Sequence, residues 1–357
     1  MKIFIDIGHP AHVHYFRNFM TLMIEKGHEF CISARDKEVT FKLLKYYEIP
    51  YISRGKGGKG ILGKFFYLFK GDLIVYTVAR KFKPDIFLSF ASPYAAHSAF
   101  LLHRPHIALD DTEVAKFGQF FYLPFTQTKL NPLSFKKTFK SNQIRFDSYM
   151  ELSSLHPHFF KPDESILNEL NISKSQPFIL VRFVSWNANH DFGQKGFSNS
   201  DKKNLIDTLS KKYKILISSE NELPERFKDS AIKISPEKIH HVMAFATLFI
   251  GEGATMASEC AMLGTPAIYV NSITAGTLEE QEKYGLLFGF RNSTGVLDKA
   301  LELLTIKNLK EEFQLRRQKL LSDKIDITNF MVWFIENYPD SAEVMKTNPE
   351  YQYNFKQ

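Results

Sequence analysis

Residues 247–272 read TLFIGEGATMASECAMLGTPAIYVNS, and this stretch decides the fold of the chain. It opens with a short apolar run of the kind that a buried parallel strand needs, and a glycine-bearing turn follows. Residues 255–263 are rich in alanine, methionine and leucine, so they predict a helix, with Gly264 as its C-cap. A Thr-Pro pair then ends the helix and leads into a second buried strand at residues 267–270.

The turn inside this stretch has the features of an anion site. Gly251 and Gly253 flank Glu252, so the backbone can turn sharply and approach a bound group closely. A helix that begins at such a turn presents free N–H groups and the positive end of its dipole, which favour a phosphate or diphosphate. The alternative is a tight connection between strand and helix that binds nothing.

The composition is typical of a globular protein with room for two domains. The chain has 357 residues, of which 44% are apolar and 24% charged. Cys31 and Cys260 are far apart, which suggests neither a metal cluster nor a disulfide framework and fits a reducing cytoplasm. We expect no signal peptide and no membrane-spanning segment. The net charge of +7 suits an anionic partner, but no nucleic-acid motif accompanies it.

The first residues predict the opening of a doubly wound parallel sheet. A buried strand at residues 2–7 is followed by a turn, a helix and a second strand at residues 30–34. Ligands of such sheets lie beyond the carboxyl ends of the strands, so His9, His12 and His14 are expected near the site. A histidine is the natural acid–base group near neutral pH. His12 and His14 cannot both face the same way, so one of them is structural.

Acidic residues follow a later strand, residues 106–109. Asp110, Asp111 and Glu113 can act as a base, bind a cation or orient sugar hydroxyls, and they can equally cap the next helix. The sequence offers no third ligand at suitable spacing, so no dedicated metal site is expected.

Residues 54–71, RGKGGKGILGKFFYLFKG, combine glycine and lysine with an aromatic cluster. They suit a flexible lid over an anionic substrate, or peripheral contact with an anionic membrane at its inner, cytoplasmic face. A mobile loop before an ordinary amphipathic helix is the alternative. The apolar members of the segment are Ile61, Leu62, Phe65, Phe66 and Phe69.

Two αβ halves are predicted, joined by a proline-rich segment within residues 124–165. The first Rossmann-like domain covers residues 1–160 and the second covers residues 161–330, with the opening stretch at its centre. Residues 331–357 are expected to be a helix end and a polar tail. The fold class is α/β, with two Rossmann-like domains facing each other across a cleft, which is then the default site.

The central stretch resembles the nucleotide-sugar signature of GT-B fold glycosyltransferases, especially of the MurG type. That signature runs Ser-Gly-Ala, a spacer with Thr, then Ser-Glu and later Gly-x-Pro-Ala. The positions in register are Gly253, Ala254, Ser258, Glu259, Gly264, Pro266 and Ala267. The N-terminal GHPAHVHYFRNF, which begins at Gly8 and His9, looks like the first glycine-and-histidine loop of the same enzymes, with His12 on their histidine.

Most of residues 1–290 is similar to the uncharacterised DUF354 family. The matching segments are FIDIGHPAHVHYF, SFASPYAAHSAF, LDDTE, VSWNANHD, ISSENELPE and FIGEGATMASECAMLGTPAIYVNS. This resemblance is specific and covers most of the chain, whereas the GT-B resemblance rests on two motifs and the domain rhythm.

The GT-B resemblance implies roles for individual residues. The glutamate of the signature holds the ribose hydroxyls, and here that residue is Glu259, because a carboxylate accepts from both hydroxyls of a diol. The chain departs from the pattern at Glu252, where the family has a small serine, and at Met256, where it has threonine. The expected backbone donors to the diphosphate are Gly253, Ala254 and Thr255.

Further substrate contacts are expected at the carboxyl ends of strands in the second half. Arg182 would neutralise the diphosphate leaving group, as a metal does in other transferases. Trp186 and His190 would contact the sugar or the base. Ser219 and Glu220 end the next strand, also at the cleft. His240 lies near the position where this fold usually binds the nucleotide base.

The sequence therefore predicts a metal-independent glycosyltransferase that moves a sugar from a UDP-sugar to a glycan or lipid-linked acceptor in cell-surface polysaccharide synthesis. Residues 1–160 would bind the acceptor and residues 161–330 the UDP-sugar, with no separate cofactor. His12 would be the general base, with Asp111 as its substitute. One alternative is a non-hydrolysing UDP-N-acetylglucosamine 2-epimerase, whose N-terminal Arg-Pro-Glu this chain lacks. The other is a non-catalytic nucleotide-sugar-binding protein.

Overall fold

The computed structural model describes residues 1–58, 60–113, 116–140, 142–183, 196–219 and 223–356. The chain divides into two compact units. Unit 1 consists of residues 1–159 and 324–357, and unit 2 of residues 160–323. Within the described residues, each unit contains one parallel β-sheet.

The strands, in chain order, are β1 (Lys2–Ile7), β2 (Glu29–Asp36), β3 (Ile52–Lys56), β4 (Ile86–Phe90), β5 (His106–Leu109), β6 (Thr128–Pro132), β7 (Gln143–Phe146), β8 (Phe178–Phe183), β9 (Lys214–Ser219), β10 (Leu248–Gly251), β11 (Ala267–Val270) and β12 (Leu287–Phe290). The helices are α1 (Pro10–Glu25), α2 (Thr40–Tyr46), α3 (Gly60–Phe82), α4 (Pro93–Leu101), α5 (Lys116–Tyr122), α6 (Leu152–Leu155), α7 (Ser165–Glu169), α8 (Asn199–Leu209), α9 (Ile239–Phe245), α10 (Ala254–Leu263), α11 (Gly276–Lys283), α12 (Val296–Leu304), α13 (Leu309–Asp323), α14 (Ile327–Glu336) and α15 (Asp340–Thr347).

The strand order places one reversal point in each sheet. In unit 1 the order is β3-β2-β1-β4-β5-β6-β7. Strands β2 and β3 are added on one side of β1 and the later strands on the other, so the strand order reverses between β1 and β4. In unit 2 the order is β12-β11-β10-β8-β9, with the reversal between β8 and β10. Ligands of open α/β sheets bind at the carboxyl edge beside such a point. The loops after β1 and β10, which carry the predicted motifs, are therefore the ones to examine.

Buried apolar side chains form the interior of both sheets, as parallel strands require. In unit 1, Phe4 of β1 and Phe87 of β4 share a cluster with Val75 and Ala79 of α3, so this helix is seated firmly on the sheet. Residues 3–5 and 7 of β1 are fully buried. Asp6 interrupts this run, and a buried carboxylate requires a partner.

That partner is Arg54 of β3. Both side chains are 1% exposed, and the guanidinium donates through Nε and Nη2 to the two carboxylate oxygens at 2.7 and 3.0 Å. The hydroxyls of Ser33 and Ser92 donate to the same carboxylate. Arg54 Nη1 also donates to the hydroxyl of Tyr67 at 3.1 Å. One ion pair thereby joins β1, β2 and β3 to Tyr67 of α3 and to Ser92, the N-cap of α4.

The predicted linker within residues 124–165 contains two strands of the unit 1 sheet. β6 and β7 are short and include prolines and polar residues, so their pattern resembles a loop. The glycine- and lysine-rich segment at 54–71 likewise divides between the end of β3 and the start of α3. Short strands carry too little periodicity to be distinguished from turns.

The end of the chain also differs from its prediction. The expected polar tail at residues 331–357 forms the end of α14, then α15 and a 3-10 helix, and residues such as Ile335, Ala342 and Met345 are buried. These elements belong to unit 1. The apolar residues at 231–234 suggest a short strand, but only an isolated bridge between Ile217 and Ala231 forms there. β12 carries no alternating pattern and is not predicted.

We expect Asp6→Asn to destabilise unit 1 by about 3–5 kcal/mol, because it leaves the buried Arg54 charge without a counter-charge. Amide hydrogen exchange of β1 peptides measures this loss within unit 1. A single unfolding midpoint does not, because it combines the stabilities of the two units. Lys2→Gln, which breaks the exposed Lys2–Glu29 pair, serves as the control and should cost less than about 1 kcal/mol. Unchanged β1 protection in Asp6→Asn would contradict the role of the pair.

Candidate functional site

A histidine-bearing turn connects β1 to α1 at the carboxyl edge of the unit 1 sheet. His9 is the N-cap of α1, and its Nδ1 accepts a hydrogen bond from the Ala11 N–H at 3.2 Å. His12 accepts from the Gly8 N–H through its own Nδ1 at 3.3 Å. A neutral imidazole that accepts at Nδ1 carries its proton on Nε2. The turn therefore presents two imidazoles as Nε2–H donors.

The surroundings of His12 keep it neutral. Its ring lies 4.8 Å from the ring of Phe90 at the end of β4. Burial lowers the pKa of His12 well below its usual value near 6.5, and electrostatic interactions with His9, Lys37 and Arg54, which disfavour a second positive charge, lower it further. With Nδ1 engaged and the proton on Nε2, this geometry favours hydrogen-bond donation over the proton abstraction predicted from the sequence.

His14, the third histidine of the turn, occupies a different environment. Its side chain is buried, and its ring meets the ring of Tyr47 edge-on at 6.0 Å. This contact seats α1 beside the residues that follow α2. His14 therefore contributes to packing within unit 1.

Asp110, directly after β5, is a buried carboxylate held by three hydrogen bonds. It accepts from the Tyr122 hydroxyl at 2.6 Å, the Gln119 amide at 2.9 Å and the Thr112 N–H at 2.9 Å. Burial raises its pKa, although the hydrogen bonds oppose that shift. These contacts fix the loop after β5 and assign Asp110 to supporting it.

Asp111, its neighbour, is partly exposed and accepts from the Thr112 hydroxyl at 2.9 Å. Burial raises the pKa of Asp111 to about 7, and the negative charges of Asp110 and Glu113 contribute to the shift. A carboxyl group with such a pKa can exchange a proton at neutral pH. Because β5 pairs with β4, Asp111 lies at the same sheet edge as the histidine turn.

In unit 2, the central stretch has the structure predicted from its sequence. β10 leads through a two-residue turn into α10, Gly264 adopts a φ of 72° at the C-cap, and β11 follows. Gly251 permits a close approach of β8, because a Cβ there would lie 2.7 Å from the Phe249 ring and 3.0 Å from Arg182. No side chain among the described residues caps the start of α10 at Gly253. The first N–H groups of this helix are thus available to a ligand.

Glu252, in the same turn, directs its charge toward α8. Its Oε1 accepts from the Phe197 N–H at 2.9 Å, and its Oε2 lies 3.6 Å from the ammonium of the buried Lys202. Gly196 lies against this carboxylate, and a Cβ there would collide with it. The glutamate that departs from the GT-B signature is therefore paired within unit 2 and braces the start of α8.

Glu259 is buried one helical turn inside α10. Its Oε1 lies 3.1 Å from Nε2 of His240 in α9, which is buried as well. The neighbouring Ser258 accepts a hydrogen bond from the amide of Gln281 at 2.7 Å. Two residues of the predicted site, Glu259 and His240, thus lie in contact, whereas Ser258 joins α10 to α11. Ala254 is exposed and Thr255 partly exposed at the start of the helix.

Arg182, at the reversal point of the unit 2 sheet, donates through Nη1 to the hydroxyl of Ser218 at 2.9 Å. Its carbonyl accepts from the Glu252 N–H at 3.1 Å, so it borders the turn before α10. The predicted Ser219 ends β9 one residue further on and is partly exposed. Three predicted site residues lie outside the described residues, and they are Trp186, His190 and Glu220.

A cavity of about 450 Å³ lies at the carboxyl ends of β11 and β12. Asn271 connects it to the turn before α10, because its amide donates to the Glu252 carbonyl at 3.3 Å. Its walls combine carboxylates, an amide, a guanidinium and aromatic rings, a mixture that suits a hydroxyl-rich ligand. The lining includes Tyr269, Asn271, Glu279, Glu282, Phe290 and Arg291.

One trio of possible metal ligands occurs among the described residues, formed by His156, His158 and Asp326. Asp326 is the N-cap of α14 and accepts from the Thr328 and Asn329 N–H groups at 2.9 and 3.0 Å. His158 Nδ1 lies 3.3 Å from the second carboxylate oxygen. These contacts give the trio a structural role at the start of α14.

The sequence does not predict the residues that contact Arg182, Glu252 and Ser258. Ser218, Lys202 and Gln281 lie 36, 50 and 23 residues along the chain from the groups that they contact. Only Arg54 had a signal in the sequence, because Asp6 interrupts an apolar strand and such a charge requires a partner.

The two doubly wound sheets, with site loops at their reversal points, define an α/β protein of the GT-B fold. Solved structures of this fold include the UDP-GlcNAc 2-epimerase from Neisseria meningitidis bound to UDP-GlcNAc, which is 12% identical with a TM-score of 0.65 and coverage of 98% of this chain and 100% of that one. The glycosyltransferase VinC in complex with dTDP is 12% identical with a TM-score of 0.59 and coverage of 96% and 100%. Similarity at this identity shows the fold alone, and it confirms the predicted fold class.

The chain belongs to the family described as "Protein of unknown function (DUF354)", whose profile matches residues 1–334. This confirms the family resemblance read from the sequence. An uncharacterized protein of Methanocaldococcus jannaschii, MJ0665, is 23% identical over 281 residues, which cover 75% of this chain and 81% of that protein.

We expect the His12 imidazole to stay neutral, with its proton on Nε2, from about pH 6 to 8. Long-range ¹H–¹⁵N NMR correlations distinguish the two tautomers and follow the titration. His97 is an internal reference, because its hydrogen bond and charge interaction with Asp72 outweigh burial and raise its pKa. A proton on Nδ1, or a His12 midpoint at or above that of His97, would contradict this assignment.

Proposed function

We propose that this protein is a glycosyltransferase that moves a sugar from a UDP-sugar to a hydroxyl group of a glycan or lipid-linked acceptor. Unit 2 would hold the donor, and unit 1 would supply the acid–base groups for the acceptor. The GT-B enzymes that resemble the chain act on or bind nucleotides and nucleotide sugars, according to their descriptions. The single observation that carries the proposal is the environment of the turn before α10.

That turn suits a diphosphate for two reasons. Among the described residues, no side chain caps the first N–H groups of α10, so they and the helix dipole can receive phosphate oxygens. Glu252, which would repel phosphate if it pointed toward the helix start, is paired with Phe197 N–H and Lys202 instead. Arg182 borders the same turn and would stabilise the negative charge that develops on the departing UDP.

Glu259 would bind the ribose of the donor. Nε2 of the buried His240 lies 3.1 Å from one of its carboxylate oxygens, which places the group beside α9 at the second turn of α10. A carboxylate in that position can accept hydrogen bonds from both hydroxyls of a diol. The polar cavity beside Asn271 would then receive the sugar.

In unit 1, Asp111 is the better candidate for the general base. Its pKa, raised to about 7, lies near neutral pH, which suits proton transfer from an acceptor hydroxyl. His12 would donate a hydrogen bond from Nε2 to a substrate oxygen, as a neutral imidazole does when it polarises a substrate group. The proposal therefore moves the role of general base from His12, which the sequence alone suggests, to Asp111, its substitute there.

The donor site predicts separate effects on binding and turnover. Glu259→Ala should reduce UDP affinity at least tenfold in calorimetry, because about 1.4 kcal/mol or more of hydrogen bonding to ribose is lost. Asp111→Asn should leave UDP affinity unchanged. Glu311→Ala removes an exposed glutamate of α13 in the same unit and is the matched control. Normal UDP affinity in Glu259→Ala would refute the donor site.

The raised pKa of Asp111 predicts how activity depends on pH. A base must be ionised, so kcat/KM should rise with pH through about 7 and level off above it. UDP release from UDP-N-acetylglucosamine, with a glycolipid extract of the source cells as acceptor, measures this profile. Asp111→Asn should lower kcat by a factor of about 10²–10⁴. A His12→Asn variant that keeps the same pH profile supports Asp111 as the titrating group, whereas loss of the profile in His12→Asn points back to the histidine.

The second candidate is a non-hydrolysing UDP-N-acetylglucosamine 2-epimerase. The raised pKa of Asp111, at the sheet edge that also carries the histidine turn, favours it, because epimerisation needs acid–base groups at the sugar ring. Incubation with UDP-N-acetylglucosamine alone distinguishes the two reactions. The C2 epimer, with solvent deuterium at C2, identifies the epimerase; a transferase forms no such product.

A further inference from the structure

Helix α3 of unit 1 carries an exposed apolar stripe. Its members recur mostly at intervals of three and four residues, so they lie on one side of the helix. The stripe comprises Leu62, Phe65, Phe66, Phe69 and Leu73, which are 74, 54, 70, 58 and 67% exposed. Single exposed apolar residues are common on protein surfaces, but five in register on one helix mark an interaction surface.

Contacts on the opposite side of α3 keep the stripe exposed. Val75 and Ala79 are fully buried in the core cluster of unit 1. Gly71 lies against the ring of Tyr94 so closely that a Cβ there would collide with it. Asp72 is paired with His97 of α4 at 3.0 Å. The helix cannot rotate to bury its stripe without breaking these contacts.

The charges beside the stripe are positive. Lys64, Lys70, Arg80 and Lys81 of α3 are exposed. The one acidic residue of the helix, Asp72, is occupied by His97. The stripe therefore combines large apolar side chains with an excess of basic ones, which is the composition of a helix that lies in a membrane interface.

We propose that α3 docks on an anionic membrane surface, with Leu62, Phe65, Phe66, Phe69 and Leu73 inserted among the lipids and the basic residues against the headgroups. Lipid phosphates complement the charge of the helix. A second copy of this chain is a poorer partner, because a twofold interface would place the same basic surfaces opposite each other. Among the described residues, no helix is long and apolar enough to cross a bilayer, so α3 would lie along the surface.

The buried ion pair of unit 1 ties this surface to the sheet edge that carries the acid–base groups. Tyr67 lies on the same helix, between Phe66 and Phe69 in the sequence. It receives a hydrogen bond from Arg54 and donates to the Gly55 carbonyl at 3.3 Å. Arg54 is in turn bound to Asp6, two residues before Gly8. A protein docked through α3 would thus meet a lipid-linked acceptor at that edge. This last step rests on the proposed function; the membrane contact does not.

Vesicle sedimentation tests the docking without donor or acceptor. The full chain should sediment with vesicles of phosphatidylcholine and phosphatidylglycerol in equal amounts, and much less with phosphatidylcholine alone. Lys64→Gln with Lys70→Gln should weaken binding about 25-fold, since each basic residue near the surface contributes about fivefold. The triple variant Phe65→Ser, Phe66→Ser and Phe69→Ser should lose binding.

The matched control combines Leu315→Ser and Lys211→Gln, which remove an exposed leucine and an exposed lysine from unit 2; it should bind like the unchanged protein. Circular dichroism verifies that each variant is folded. If the phenylalanine variant does not fold, the lysine variant still tests the proposal. The proposal fails if the unchanged protein stays in solution with anionic vesicles, or if neither variant weakens binding. It also fails if light scattering shows a dimer that the phenylalanine variant dissociates while vesicles bind no protein.

Discussion

The buried ion pair between Asp6 and Arg54 is the interaction on which unit 1 depends. An isolated charge in the middle of a parallel sheet is costly, and this pair is satisfied only because two serine hydroxyls and a tyrosine complete its hydrogen bonds. Each of these partners comes from a different element at the carboxyl edge. The positions of the histidine turn after β1, the start of α4 and the second turn of α3 are therefore set together.

Much of the fold could be predicted from the sequence, because many of its elements have clear local signals, such as an apolar run, a group of helix formers or a capping glycine. The apolar run before Gly251, the helix formers after it and the C-cap Gly264 specify β10, α10 and β11 locally, and the structure contains all three. β6, β7 and β12 could not be predicted, because they are short and their apolar residues are interrupted by polar residues, proline or glycine. Their pairing is decided by neighbours far along the chain. The same holds for α15, whose burial depends on unit 1.

The candidate site could be predicted by residue type but not by role. The sequence predicts Glu259 and His240 as substrate-binding residues independently of each other, and only the structure shows that they lie in contact. Glu252 departs from the signature, and only the structure shows that the Phe197 N–H and Lys202 compensate its charge. His12 is the reverse case: its residue type suggests a base, whereas the Gly8 N–H directs its proton to Nε2. Roles depend on which lone pair or charge a neighbour already uses, and sequence spacing carries no such information.

The return of residues 324–357 to unit 1 has a consequence for biosynthesis. A ribosome releases the chain from its N-terminus, so unit 2, residues 160–323, emerges as one uninterrupted segment. Unit 1 still lacks α14 at that time, together with the hydrogen bonds from Thr328 to the Ser153 carbonyl and from Ser148 to the Ile325 carbonyl. The half of the protein that is made first is therefore completed last, because all of unit 2 has been synthesised before the last elements of unit 1 exist.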